Sequence, residues 1–293
     1  MDPASLPIVV REMPFRRTSV EADGVRLNVV DDGPRDAPTL LALHGNPTWS
    51  FLWRKLIARG LAEGYRVVAP DLAGFGLSDK PRDPRYYGLA RHVANVRRVV
   101  ESLDVRRATL VLHDWGGPVG MGLAVAAPER VERLVIANTL AFAPKSERSL
   151  SAWHAFFASR PGAALGRRFN LVARTAFAFG ARRRLDPDVL EAYLAPLRDP
   201  GARLAASRFV QMVPDGPSHP EASTLAGYEA DYPKLASKPV LVLWADRDPV
   251  MPARLAERWR RDFPNAVVRH VSRTAGHFWQ EDDPAPFHDA IFA

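Results

Sequence analysis

The chain has 293 residues, a hydrophobic content of 47% that suffices for a full core, and a formal net charge of +7. This length fits one α/β domain that carries an inserted subdomain, and the lack of cysteine excludes disulfides and thiolate metal sites. The basic residues are scattered mostly in pairs and are densest at 182–184, which is typical of a solvated arginine-rich face; no nucleic-acid-binding motif is present, and we expect no nucleic-acid partner.

Targeting signals are not visible in the sequence. Residues 1–7 lack the basic and apolar pattern of a signal peptide. No apolar run approaches the ~18 residues that a membrane-spanning helix needs. We therefore expect a cytoplasmic protein without stable membrane insertion. The composition indicates no particular oligomeric state.

Apolar runs alternate with amphipathic stretches along the chain. The apolar runs are short and nearly continuous, as in strands that are buried on both faces of a sheet. The predicted strands are 27–30, 39–43, 65–69, 108–113, 134–137, 240–244 and 267–271. Helices are predicted at 50–61, 88–103, 117–127, 252–263 and 284–292. This alternation predicts an α/β fold, with a mostly parallel sheet and helices on both faces.

Residues 141–232 break this rhythm. They have helical patterns rich in Phe, Ala and Arg, punctuated by prolines, and no convincing strand. We interpret them as a helical cap inserted into a core formed by 1–140 and 233–293. Ligands bind at the carboxyl ends of parallel strands, so a cap inserted there covers the site. Most of the cap aromatics are expected in the cap core, the others in the pocket wall; they are Trp153, Phe156, Phe157, Phe169, Phe177, Phe179 and Phe209.

Polar side chains follow several predicted strands directly. The first loop, His-Gly-Asn-Pro at 44–47, can turn backbone N–H groups toward a neighbouring strand end as half of an oxyanion hole. An ordinary Asn-Pro turn is the alternative. Asp114 follows the strand 108–113 and precedes Gly116 and Gly117. Small residues permit a sharp strand-to-helix turn that exposes Asp114 as a nucleophile, whereas the alternative is a helix cap.

Two acids and a histidine follow the last two predicted strands. Asp246 and Asp248 follow 240–244, and His277 follows 267–271. A single histidine here is usually a satisfied loop residue. The order nucleophile, acid, histidine is that of the α/β-hydrolase triad, and each candidate stands just past a strand end. The combination favours a catalytic triad.

Five stretches of the chain resemble the haloalkane dehalogenases of the α/β-hydrolase superfamily. They read HGNPTWSFLWR, PDLAGFGLSDKP, VLHDWGG, LWADRDPVMP and GHFWQEDDP, and the resemblance runs from about residue 25 to 285. It implies an α/β-hydrolase fold with Asp114 as nucleophile, His277 as base and Asp248 as the acid that partners it. It also implies Asn46 and Trp115 as the pair that binds the halide. Neither a metal nor a cofactor is implied, and the partner is a small apolar substrate.

The choice between the two acids rests on the resemblance. Asp248 stands one turn before Pro252, which is the spacing of the family, so we prefer it to Asp246. Another branch of the family carries its acid one strand earlier. That position falls at 138–139, where Asn and Thr cannot act as the acid.

Other functions remain open on the same residues. The stretches IANTLAF and RFVQMVPDGPSHP are similar to β-lactone decarboxylases of bacterial olefin biosynthesis, which open a lactone ring and release an alkene. An epoxide hydrolase also uses an Asp nucleophile, but it needs cap tyrosines such as Tyr193, Tyr228 or Tyr232. A non-catalytic binding protein would normally have lost a triad member. The sequence favours hydrolytic cleavage of carbon–halogen bonds, with the decarboxylase as the alternative.

Overall fold

The computed structural model describes residues 2–147 and 150–293. Eight strands form one sheet. They are β1 Arg17–Ala22, β2 Val25–Asp32, β3 Thr39–Leu43, β4 Arg66–Pro70, β5 Ala108–His113, β6 Val131–Ala137, β7 Val240–Ala245 and β8 Val267–Ser272. Their order in the sheet is β1-β2-β4-β3-β5-β6-β7-β8. The pairs β1–β2 and β2–β4 are antiparallel, and all others are parallel. The predicted α/β fold with a mostly parallel sheet is confirmed.

Helices pack on both faces of this sheet. The α-helices are α1 Pro7–Glu12, α2 Arg54–Ala62, α3 Leu89–Ser102, α4 Gly116–Ala126, α5 Ala152–Ala158, α6 Arg160–Phe169, α7 Leu171–Gly180, α8 Pro187–Leu194, α9 Leu204–Gln211, α10 Pro220–Asp231, α11 Trp279–Asp282 and α12 Ala285–Phe292. Alternate residues of β3 belong to different cores: Leu41 and Leu43 pack with α3 and α4, whereas Leu40 and Ala42 pack with α2 and α12. This alternation follows from the two-residue period of a strand.

Some elements differ from the prediction, including the short helices α1 and α11, which were not predicted. The edge strand β1 was not predicted, because its sequence RTSVEA is half exposed and lacks an apolar run. The helix predicted at 252–263 is a 3-10 helix at Ala253–Arg261. No helix in the described part of the chain is long and apolar enough to cross a membrane.

The segment between β6 and β7 holds helices α5 to α10, and its described residues form no strand. The division into core and cap at 140/141 and 232/233 stays a prediction. Of the seven cap aromatics named above, Phe157, Phe177 and Phe209 are buried and Trp153 is partly buried, which is fewer than the prediction that most lie in the core. Phe156, Phe169 and Phe179 are exposed to solvent.

Candidate active site

Asp114 occupies a sharp turn between β5 and α4. Its φ is +48°, in the left-handed region, and Trp115 follows it as the N-cap of α4. Glycine is required directly after Trp115 because a Cβ would clash with neighbouring atoms. A Cβ on Gly116 would lie 2.0 Å from the Leu43 carbonyl oxygen. A Cβ on Gly117 would lie 2.0 Å from Thr139 Oγ1. The turn therefore holds the carboxylate of Asp114 beyond the carboxyl end of the sheet.

His277 lies between two carboxylates. Its Nδ1 is 2.8 Å from Asp248 Oδ2, and its Nε2 is 3.5 Å from Asp114 Oδ2. Asp246 is elsewhere, at 2.6 Å from His270 Nδ1. The structure thus brings the three predicted triad residues together and leaves the rival acid outside the site.

Asp248 is held by donors on both oxygens. Its Oδ1 accepts the backbone N–H groups of Val250 at 2.7 Å and Met251 at 2.9 Å. Its Oδ2 accepts Asn138 Nδ2 at 2.9 Å in addition to His277. Asn138 is fully buried at the end of β6, and its Oδ1 accepts the Ala245 backbone N–H. The sequence had shown Asn138 only as a place where an acid is absent; its position at a parallel strand end is the signal that marks it as a partner of Asp248.

The loop 44–47 closes on the other side of Asp114. The backbone N–H of Asn46 donates to Asp114 Oδ1 at 2.7 Å. A Cβ on Gly45 would lie 2.1 Å from the same oxygen, so only glycine allows this approach. The backbone N–H of Trp115 also stabilises the carboxylate. Because Oδ1 receives the loop N–H, Oδ2 is the oxygen that faces His277.

The side chains of Asn46 and Trp115 border this carboxylate. Asn46 Nδ2 donates one hydrogen bond to the Ala206 carbonyl of α9 at 3.1 Å, which leaves its second N–H. The Trp115 indole packs edge-on against Phe209, with ring centroids 5.2 Å apart. Within 2–147 and 150–293, no group accepts a hydrogen bond from its Nε1. Among the described residues, the second Nδ2–H of Asn46 and the Nε1–H of Trp115 therefore have no acceptor.

The charges of the site favour an ion pair. Burial lowers the pKa of His277, but the carboxylates of Asp248 and Asp114 outweigh it and raise that pKa to about 10. Burial raises the pKa of Asp114, but His277 and, to a lesser degree, His113 and the Trp115 N–H lower it to about 2. The resting site thus holds a protonated His277 beside two carboxylates.

His113 is a site residue that the sequence reasoning missed. Its Nε2 is 2.9 Å from the His277 carbonyl oxygen, and the two rings lie 4.7 Å apart. Burial lowers the pKa of His113 to about 3, so the ring is neutral and Nε2–H donates to that carbonyl. His113 therefore supports the loop that carries His277. Its place directly before Asp114 was the available signal.

No group of three or more His, Asp or Glu side chains in the described part of the chain could hold a metal ion.

Comparison with known proteins gives the site its context. The model of the alpha/beta hydrolase fold family matches residues 38–284. A cis-3-alkyl-4-alkyloxetan-2-one decarboxylase from Shewanella oneidensis is 35% identical over 92% of this chain and 85% of its own length. A haloalkane dehalogenase from Mycobacterium marinum is 37% identical over 88% of this chain and 84% of its own. The crystal structure of a haloalkane dehalogenase from Agrobacterium tumefaciens superposes with a TM-score of 0.83 at 25% identity, and it covers 94% of each chain.

The matched region contains Asn46, Asp114, Asp248 and His277, and it extends through every strand of the sheet from β3 to β8. The chain is an enzyme of the alpha/beta hydrolase fold family.

Proposed function

We propose that the enzyme cleaves carbon–halogen bonds of small apolar haloalkanes, and that Asp114 is the nucleophile. One observation carries the proposal: Asp114 has one oxygen held by a backbone N–H and the other facing His277. Haloalkane dehalogenases among the relatives and structural neighbours support the same assignment. The products are an alcohol and a halide ion.

In the first step, Asp114 Oδ2 attacks the carbon that bears the halogen. A C–O bond forms, the carbon–halogen bond breaks, and the halide leaves with the bonding electrons. The indole N–H of Trp115 and the free amide N–H of Asn46 stabilise the departing halide. Both donors are neutral, so they do not compete with the halide by pairing with Asp114, as a lysine or arginine would.

In the second step, water hydrolyses the alkyl ester. His277 takes a proton from the water, which attacks the carbonyl carbon of the Asp114 ester. The oxyanion develops on Oδ1, which already accepts the backbone N–H of Asn46, and the backbone N–H of Trp115 stabilises the same carboxyl group. A serine would form an ether, which has no carbonyl carbon for water to attack. The aspartate makes both steps possible.

The electrostatics of His277 order the two steps. In the resting site, Asp114 contributes to the high pKa of His277. Alkylation removes the charge of Asp114, so the pKa of His277 falls toward that of a histidine paired only with Asp248. His277 therefore becomes a base only after the ester has formed.

A second candidate is decarboxylation of a β-lactone. The Shewanella oneidensis relative, which spans more of this chain than the Mycobacterium marinum one, carries that name. Asp114 would open the ring at the alkyl carbon and release a carboxylate. Loss of CO₂ would then form the double bond and expel the Asp114 carboxylate, which gives an alkene without water. The same nucleophile serves both reactions.

The cap tyrosines do not favour epoxide hydrolysis. The Tyr193 hydroxyl donates to Glu281 at 2.5 Å, and the Tyr232 hydroxyl donates to the Ala141 carbonyl oxygen. The Tyr228 ring packs against Gly122, two turns along α4 from Asp114. Two of the three hydroxyls are therefore engaged in structural hydrogen bonds.

One assay separates the candidates. Purified enzyme is given a panel of bromo- and chloroalkanes, and halide release is measured beside alkene formation from a synthetic cis-β-lactone. We expect halide release, and we expect Asp114→Ala to abolish it while its circular dichroism stays that of the wild type. Alkene formation without halide release would replace the dehalogenase with the decarboxylase. Activity of Asp114→Ala on either substrate would end the assignment of the nucleophile.

A further inference from the structure

The positive charge of the chain is concentrated in one segment. Residues 150–185 contain seven arginines and no acidic residue. The net charge of the whole chain is also +7, so the remaining residues carry equal numbers of basic and acidic side chains. This segment includes α5, α6 and α7.

Most of these arginines have no carboxylate partner. Arg97, Arg106 and Arg107, outside the segment, pair with Glu101, Asp104 and Glu132 at 2.5–2.9 Å. Within the segment, six arginines have no carboxylate of the described residues within ion-pair distance. They are Arg160, Arg167, Arg168, Arg174, Arg183 and Arg184. Their charges are therefore available to an external anionic surface.

The helices of this segment also expose large apolar side chains. Helix α6 buries Gly162, Ala163 and Gly166 against the fold, whereas Leu165 and Phe169 face solvent. Phe169 is 53% exposed and Phe179, at the end of α7, is 65% exposed. An ordinary amphipathic helix buries its large apolar side chains against the core. Helix α6 instead packs through its small residues and exposes its large apolar ones, which is typical of an interaction surface.

The exposed residues Leu165, Arg167, Arg168 and Phe169 on α6 form what we call the cap surface. We propose that the cap surface docks on anionic phospholipid bilayers, with the apolar side chains at the headgroup level. Exposed Phe and Leu beside unpaired Arg are the features by which proteins bind such interfaces without a spanning helix. A symmetric contact between two copies would bring these arginines together without acidic partners, so the charge disfavours self-association.

Helix α7, which follows the cap surface in the chain, ends in contact with the loops of the candidate active site. The carbonyl of Gly180, next to Phe179, accepts the backbone N–H of His277 at 2.8 Å. Arg182 donates to the Arg247 carbonyl in the loop that carries Asp248. The docking itself does not depend on the reaction at Asp114.

Vesicle co-sedimentation tests the proposal without any substrate. The full chain is mixed with vesicles of phosphatidylcholine alone or with about a third phosphatidylglycerol, at low and at high salt. We expect binding to the anionic vesicles at low salt, and loss of binding at high salt. Arg167→Gln/Arg168→Gln should weaken it by about 10- to 30-fold. Leu165→Ser/Phe169→Ser should also weaken it by at least about 10-fold.

A matched control carries the same charge change on another surface. Arg106 and Arg107 precede β5, at the end of the sheet opposite to Asp114, so Arg106→Gln/Arg107→Gln should bind like the wild type. Thermal melts and circular dichroism establish that each variant is folded. Equal weakening by the control, or no binding to anionic vesicles, overturns the proposal. Binding only to a single-stranded oligonucleotide also overturns it. So does a dimer, detected by light scattering and crosslinking, in which the cap surface is buried.

Discussion

His277 and Asp114 divide the proposed reaction into two steps at the level of single residues. Asp114 is ionised in the resting site and needs no base to attack a haloalkane. His277→Phe should therefore react once and stop as a covalent ester. Intact-protein mass spectrometry after incubation with a bromoalkane should show one added alkyl group, and peptide mapping should place it on Asp114. Asp114→Ala is the control and should stay unmodified. A His277→Phe protein that gains no mass while the wild type turns over would rule out the two-step scheme.

Both steps should slow as the pH falls, but over different pH ranges. The pKa of Asp114 is lowered to about 2, so its attack should keep its rate from pH 8 down to about pH 5. Hydrolysis requires neutral His277 and should slow as the pH falls through the histidine pKa of the alkylated enzyme. Rapid quenching followed by mass spectrometry measures both rates. An attack rate that falls together with hydrolysis would contradict the assignment.

The indole N–H of Trp115 is proposed to bind the leaving halide. Trp115→Phe keeps an aromatic ring against Phe209 and removes the donor, so halide binding should weaken by about 10- to 100-fold. Product inhibition by chloride and bromide measures this change. Trp153→Phe, which loses an indole hydrogen bond to Thr175 in the cap, is the control and should leave it unaltered. Unchanged halide inhibition in Trp115→Phe would remove this residue from the halide site.

At the scale of elements, the loop after β3 positions a donor against Asp114. Gly45→Ala would place a Cβ 2.1 Å from Asp114 Oδ1 and force the loop or the carboxylate to move. We expect turnover to fall by at least about 100-fold, because an oxyanion donor is lost. Gly227→Ala is the control, since a Cβ at Gly227 in α10 meets nothing within 4 Å. It should keep full activity and gain slightly in stability. Equal activity of the two variants, measured by steady-state kinetics, would show that the loop tolerates a side chain.

Whether an element could be predicted from the sequence depended on how deeply it is buried. Parallel strands were predictable because Leu40 to Leu43 and their counterparts are continuous apolar runs buried on both faces. The edge strand β1 was not, because its polar residues leave no such pattern. Asp114 and His277 were predictable because each is a reactive residue type directly after a strand. Asn138 was not, because it is a neutral residue whose role depends on a neighbouring strand. Phe169 and Phe179 were misplaced because composition does not tell which side of a cap helix faces outward.

At the scale of the whole molecule, a buried ionic cluster joins the N-terminal helix, the core and the cap. Arg54 of α2 contacts Glu281 at 2.5 Å and Glu12 at 2.6 Å, and Glu281 accepts from Tyr193 of α8. Glu281→Ala leaves a buried guanidinium short of a partner, which costs about 3 kcal/mol. The Tm should fall by about 6–12 °C. Glu63→Ala breaks only an exposed pair with Arg59 and should change stability by less than about 1 kcal/mol. Calorimetric melts that shift equally would refute the buried cluster's role.

The contact between Asn46 and α9 has an evolutionary consequence. Asn46 donates one N–H to the carbonyl of Ala206, so the orientation of this proposed halide donor depends on the position of α9. The acceptor belongs to the main chain, and every amino acid supplies that carbonyl. Side chains along α9 can therefore diverge while the proposed donor keeps its orientation. Substitutions in the cap can therefore change the choice of substrate without first removing the proposed halide donor of the core.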